Sequence, residues 1–324
     1  MAARNIPSHA VKPQNKSVNL LKSQYKPKNI QPKTQKFSSK YSKMAFEGGG
    51  VLGITYVPAI SKLEEYGIIE GIKYYSGASI GGIFAAVMAC GGDSKFLNEK
   101  FENFKPDSLL ESPSGLCHWL SYFRLLSYFG IDSGSALEKW LNNIFEELTG
   151  SSDITFSEAY DLTQKICIVN GTNINTLKTD YFSVGTTPDM KIVDALRITA
   201  SYPGQFDPVK LLNNVYVDGG MSDNYPVRVL DKYPGEFIGI KLISDSEKKN
   251  VRFPSPDNAF SYAGRIITIL HNNSMKHHVK ESDWKNTIRI HTGDISPMEF
   301  DLTEEDKEFL INQAENAVDK YFFS

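Results

Sequence analysis

Three short turns in this 324-residue chain carry residue types suited to acyl transfer. In Gly77-Ala78-Ser79-Ile80-Gly81 a serine sits among small residues, where Ile72 to Ser76 reads as a strand and Ile80 to Cys90 as a helix. A strand that turns at once into a helix needs small flanking residues and leaves the serine Oγ exposed at the apex, the arrangement of a nucleophile elbow. Ser79 is therefore the candidate nucleophile, with Gly77 and Gly81 supporting the turn. An attacking serine needs donors for the developing oxyanion. In Gly48-Gly49-Gly50-Val51-Leu52-Gly53 the backbone N–H groups can converge without side-chain obstruction. Gly48, Gly49, Gly50 and Val51 are the candidate donors, and Gly53 completes the loop. The third part is a base. Asp218 closes the apolar run Asn214 to Val217, and Gly219 and Gly220 behind it permit close backbone approach. A carboxylate within hydrogen-bond reach of a serine hydroxyl can accept its proton directly.

Each turn also has another reading. Gly48, Gly50 and Gly53 satisfy the dinucleotide fingerprint G-x-G-x-x-G, but that use requires an acid about 20 positions on, at the end of the second strand. Here that strand ends in Tyr75-Ser76-Gly77, which leads into the elbow. A histidine base is the second alternative. His271, His277, His278 and His291 lie late enough in the chain to complete a triad, but none sits in a recognisable strand-to-loop setting. The α/β-hydrolase order also places several strands before the elbow, whereas one strand and one helix precede Ser79. Asp218, for its part, could simply shape a turn.

The elements that must position these turns follow from periodicity. Ser42 to Glu47 reads as a strand, and Leu52, Ile54, Val57, Ile60 and Leu63 recur at helical spacing until Gly67. Further strands are expected at Lys165–Asn170, Lys178–Ser183, Asn214–Val217, Glu236–Lys241 and Thr287–His291. Helices are expected at Ile192–Ala200, Asp257–Asn272 and Thr303–Phe322. Strand and helix alternate as in a parallel α/β sheet with right-handed crossovers. Residues 93–162 lack strand signals and read as a helical cap. Within it, the aromatic and aliphatic cluster between Leu116 and Phe129 suits either the packing of the insertion or a lipid-facing lid.

With these turns in this order and spacing, together with Asn224, Pro226 and Arg197-Ile198-Thr199-Ala200-Ser201-Tyr202-Pro203, the chain resembles the patatin-like phospholipases over about residues 43–322. The resemblance implies a three-layer α/β/α sheet with a helical cap, and a catalytic dyad of Ser79 and Asp218 without histidine. It also implies an oxyanion hole in the glycine loop and hydrolysis of lipid ester bonds with no metal or cofactor. A departure is Leu52, where the family usually has Arg or Lys. An acyl-transferring or non-catalytic lipid-binding descendant, and a nucleotide-binding protein, are the alternatives.

Composition bounds the rest. Residues 1–43 carry Arg4 and nine lysines with no acid, which leaves the rest with 25 basic and 38 acidic residues within a total net charge of −3. Residues 1–42, rich in Pro, Gln, Asn and Ser, should form a disordered basic arm ahead of the folded domain at 43–324. Such an arm suits an anionic membrane surface, and the acidic body argues against nucleic acid as the main partner. Cys90, Cys117 and Cys167 show no C-x-x-C spacing, so a reducing, cytoplasmic setting is expected. Neither a secretion signal nor a membrane-spanning apolar run is apparent. A chain beginning near Ser42 should bind anionic vesicles more weakly than the full chain at low salt, and sedimentation with salt titration measures the difference.

Overall fold

The computed structural model of the chain describes residues 40–101, 106–109, 125, 127–245, 255–256, 261–269 and 279–324. Strand β1 (Tyr41–Phe46) is buried along nearly its whole length, as the central strand of a sheet covered on both faces must be. It runs into the glycine loop, a 3-10 turn at Gly50–Thr55 and helix α1 (Tyr56–Glu65). Strand β2 (Tyr74–Gly77) and helix α2 (Ile80–Ala89) follow. From Gly81 to Ala89 helix α2 is buried on every side, which suits its small apolar residues, and it packs against β2 and β4 (Ile166–Asn173).

Five strands are parallel, in the order β10 (Thr287–Gly293), β9 (Glu236–Ser244), β1, β2 and β4. The sheet is not parallel throughout. The first half of β4 pairs with β2, from Tyr74↔Ile166 to Gly77↔Val169. Its second half runs on and pairs antiparallel with both β5 (Lys178–Phe182) and β8 (Asn214–Asp218), Gly171 lying opposite Asp218. Strand β7 (Val209–Leu211) closes a hairpin onto β8. The short connections after β4 and β7 allow only antiparallel neighbours, because a parallel return needs a crossover of a dozen residues or more.

Within 93–162 the described residues form α3 (Ser94–Phe101), α4 (Ser135–Thr149) and α5 (Phe156–Thr163). A short strand not expected there, β3 (Gly130–Asp132), pairs with β6 (Gly204–Phe206), another element too short to show a period of its own. Most of the Leu116–Phe129 cluster lies outside the described residues, as do the ends of the expected helix at 257–272, whose residues 261–269 are helical (α7). Helix α6 (Ile192–Thr199) packs on β4 and α8 (Glu304–Phe323) on β10 and α1. The α8 N-terminus carries the expected cap, Asp306 N–H donating to Thr303 Oγ1 at 3.1 Å. No helix among the described residues is long and apolar enough to cross a membrane.

Packing fixes the two loops that follow β1 and β2. Phe46, Tyr56 and Phe84 form an aromatic cluster with centroids 5.2 to 6.3 Å apart, and the Tyr56 hydroxyl donates to the Glu47 carbonyl just ahead of the glycine loop. Gly81 lies against the same strand end: a Cβ there would stand 2.5 Å from the Glu47 carbonyl oxygen and 2.7 Å from that of Phe46. Backbone cannot yield as a flexible side chain can, so Gly81→Ala should lower stability by about 2 kcal/mol or more, measured by the urea midpoint.

Candidate active site

Ser79 occupies the join of β2 and α2 with φ 52 and ψ −129, a backbone conformation that few non-glycine residues adopt. Such strain costs on the order of 1 to 3 kcal/mol and persists only where the surroundings over-determine it. Here Gly77 and Gly81 cross so closely that a Cβ on Gly77 would overlap the Gly81 carbonyl. The Ser79 carbonyl accepts from Gly82 N–H at 2.9 Å, and the Ser79 N–H donates to Thr199 Oγ1 at 2.9 Å. The serine is also the N-terminal cap of α2, where unpaired N–H groups and the helix dipole favour negative charge.

The glycine loop passes directly over this turn. A Cβ on Gly48 would lie 3.2 Å from Ser79 Cβ and 3.1 Å from the Ala78 carbonyl oxygen. The structure divides the four expected oxyanion donors. Gly48 N–H donates to the Asn224 carbonyl at 2.9 Å and Val51 N–H to the Pro297 carbonyl at 3.0 Å, so both are already used. The N–H groups of Gly49 and Gly50 have no partner among the described residues. Gly50 has φ 53 and lies against the Pro297 carbonyl, both of which demand glycine. Gly53 leaves room for Ile80, and Leu52 is buried in the core, so the charge that the family pattern carries at that position is absent.

Asp218 lies at the end of β8 and is 2% exposed. Gly220 N–H donates to its Oδ1 at 2.7 Å, whereas Oδ2 is buried without a well-formed hydrogen bond among the described residues. Burial pushes the carboxyl up to about 7, and the Ser79 hydroxyl, followed by the Gly220 N–H, opposes the shift by favouring the carboxylate. The Ser79 hydroxyl thus bears on the Asp218 carboxyl, although no hydrogen bond of ordinary geometry satisfies Oδ2 among the described residues.

Several bracing residues escaped the sequence reading. Asn224, four residues beyond Gly220, donates through Nδ2 to the Gly48 carbonyl at 3.0 Å while its own carbonyl accepts from Gly48 N–H. Asn170 Nδ2 donates to the carbonyls of Gly219 and Asp223, and Thr172 Oγ1 to that of Asp218 at 2.8 Å. A Cβ on Gly219 would collide with Asn170, which explains that glycine. The 197–203 segment reaches both halves of the site: Thr199 holds Ser79, and the Ser201 carbonyl accepts from Asp218 N–H at 2.8 Å. Ahead of the glycine loop, Glu47 and Lys241 form a buried ion pair, and Leu242 N–H donates to Glu47 Oε2 at 2.8 Å. None of these contacts has a local sequence signature, because each joins residues far apart in the chain.

Of the histidines considered as bases, His291 is exposed on β10 and the other three lie outside the described residues. A cavity of about 360 Å³, lined in part by Glu138, Asp194, Arg197 and Lys210, includes neither Ser79 nor Asp218.

The sequence profile of the patatin-like phospholipase family matches residues 44–231, a span that includes all three turns. The uncharacterized protein R571 of Acanthamoeba polyphaga mimivirus is 29% identical over 279 residues, which cover 84% of this chain and 90% of that protein. The probable lipid hydrolase 463L of Invertebrate iridescent virus 6 is 31% identical over 195 residues, 59% of this chain and 64% of that one. Among solved structures, VipD from Legionella pneumophila matches with a TM-score of 0.59 at 16% identity, covering 94% of this chain and 72% of VipD; the likeness is one of fold.

The raised carboxyl has a consequence for stability. A folded-state value near 7 against about 3.8 in the unfolded chain means that folding is favoured at acid pH, and that this contribution is lost as pH rises through 7 and the buried group ionises. Asp218→Asn, which mimics the protonated form, should therefore raise the melting temperature by several degrees at pH 8 and have little effect near pH 4. Thermal melts across that range measure it.

Proposed function

The chain belongs to the patatin-like phospholipase family, and on that premise we propose that it is a lipid acyl hydrolase with Ser79 as nucleophile and Asp218 as general base. The observation that carries this reading is Ser79, held in a strained backbone turn, beside a buried Asp218 carboxyl raised to about 7, which is poised to exchange a proton near neutral pH.

In the proposed reaction Ser79 Oγ attacks the ester carbonyl carbon of a phospholipid or another acyl ester while Asp218 Oδ2 takes the hydroxyl proton. The carbonyl oxygen, now an oxyanion, is met by the N–H groups of Gly49 and Gly50, reinforced by the positive end of α2. Asp218 returns the proton to the leaving alcohol as the ester bond breaks. An acyl-Ser79 intermediate remains. Water then attacks it, Asp218 accepts a proton from that water, and the released Ser79 oxygen recovers it as the fatty acid departs. An alcohol in place of the water would give acyl transfer by the same steps.

Support for Gly49 and Gly50 is that their N–H groups alone, of the four candidates in the loop, are uncommitted among the described residues. The pyrophosphate reading of the same loop has less support. It would need an acid at the end of β2, where Gly77 stands.

A fluorophosphonate probe should label the wild-type protein and not Ser79→Ala; equal labelling of both would remove Ser79 as the nucleophile. Asp218→Asn should lower kcat/KM on phospholipid by about a thousandfold while the folded melt is retained. Wild-type turnover should rise with pH through about 7 as the base ionises, a pH profile that Asp218→Asn should flatten.

A further inference from the structure

Two β-hairpin tips carry large aliphatic side chains where tight turns ordinarily carry glycine or asparagine. The β7–β8 hairpin closes through Leu212 and Asn213, with Leu211 opposite Asn214. Leu212 has φ 54, at the first of two turn positions, where a hairpin of this kind takes glycine. The β4–β5 hairpin closes through Ile174 to Leu177, with Asn173 opposite Lys178, and Leu177 has φ 58. Neither leucine gains packing in return for its strained backbone. Leu212 is 92% exposed and Leu177 86%, and Ile174 beside them is also exposed.

The two tips are neighbours. Ile174 N–H donates to the Val215 carbonyl at 3.0 Å, and Val215 N–H to Asn175 Oδ1 at 2.7 Å. Together they make one apolar projection. Lys178 and Lys210 flank the leucines, and the nearest acids along the two hairpins are Asp180, whose carboxylate accepts from Asn173 and Tyr216, and Asp207. Both lysines are exposed, and neither takes part in an ion pair among the described residues.

Strand register gives the projection its relation to the site. Gly77, two residues before Ser79, lies opposite Val169, and Asp218 lies opposite Gly171. At about 3.3 Å per residue along β4, the tip at Ile174 stands about 16 Å beyond the level of Gly77 and about 10 Å beyond Asp218. It extends from the same end of the sheet that carries Ser79.

We propose that the paired tips, Ile174-Leu177 and Leu212, insert into the interfacial layer of an anionic lipid bilayer and hold the Ser79 end of the sheet toward it. Apolar tips with a lysine beside each fit that partner, because leucine side chains can bury among acyl chains while lysine stems bury and their ammonium groups remain at anionic headgroups. A protein partner would be met by a broader patch with aromatic and Arg anchors at its core, which two narrow leucine tips do not supply. The purpose of the docking rests on the lipid-ester reading above; the docking itself is measured without it.

The test uses the full chain and its Leu177→Asn/Leu212→Asn double variant. Asparagine adopts positive φ readily, so the variant keeps or improves the fold, which a thermal melt verifies. Flotation with phosphatidylcholine vesicles containing phosphatidylserine is run in roughly 0.5 M salt, which shortens the screening length enough to suppress attraction by the basic residues 1–43. Wild type should remain on the vesicles, and the double variant should partition about a hundredfold less, about tenfold per leucine. Hydrolysis of a short water-soluble ester should be equal in the two. At low salt, Lys178→Glu/Lys210→Glu should weaken binding to the phosphatidylserine vesicles. Equal partition of wild type and the asparagine variant, or a wild type that does not float, would overturn the proposal. If neither protein cleaves the ester but the variant still loses the vesicles, the docking stands and the hydrolase reading falls.

Discussion

The close approach of three backbone turns is the constraint on which the rest of the site depends. Gly48, Ser79 and Gly220 come together at one end of the sheet with almost no side-chain volume between them, and Asn224 links the first to the third. Its side chain and its carbonyl both bond Gly48, and its Oδ1 fills the space that a Cβ on either Gly48 or Gly220 would need. A larger residue at any of these points would have to move backbone, and interiors packed to crystal density do not yield readily. The glycines of the three motifs thus serve one contact surface rather than three separate turns.

That surface is held at a cost in local energy. Ser79 sits in a strained backbone conformation, and Asp218 is enclosed where its charged form is disfavoured. The compensation comes from elsewhere in the fold: the Phe46, Tyr56 and Phe84 cluster beneath the loops, the all-round burial of α2, and the hydrogen bonds from Thr199, Thr172 and Asn170. The Glu47–Lys241 pair belongs to the same framework. A buried ion pair is weak support for stability, but with Leu242 N–H also bonded to Glu47 it specifies how β1 ends beside β9 and where the glycine loop begins.

Hydrophobic periodicity was enough to locate β1, β2, β4, β5, β8, β9 and β10, and helices α2, α6 and α8 close to their observed bounds, because each is long enough or buried enough to show its period. It did not find β3, β6 or β7, which have three residues each and owe their existence to a partner strand. Nor did it separate the parallel half of the sheet from the antiparallel half. The local pattern of β4 is the same whichever neighbour it meets, and direction is decided by the length of the connection that follows.

The site divides in the same way. Glycine spacing, a serine at a strand-to-helix join and an acid at a strand end were sufficient to nominate Ser79, Asp218 and the 48–53 loop, because the types and spacings that permit a sharp turn are local properties. Which loop N–H groups remain available, Gly49 and Gly50 rather than Gly48 and Val51, was decided by Asn224 and Pro297, more than 170 residues away along the chain. The raised pKa of Asp218 and the side-by-side placement of the Leu177 and Leu212 tips are also tertiary facts. Burial, charge state and neighbourhood depend on what the folded chain packs around a residue, and no spacing within a motif encodes that.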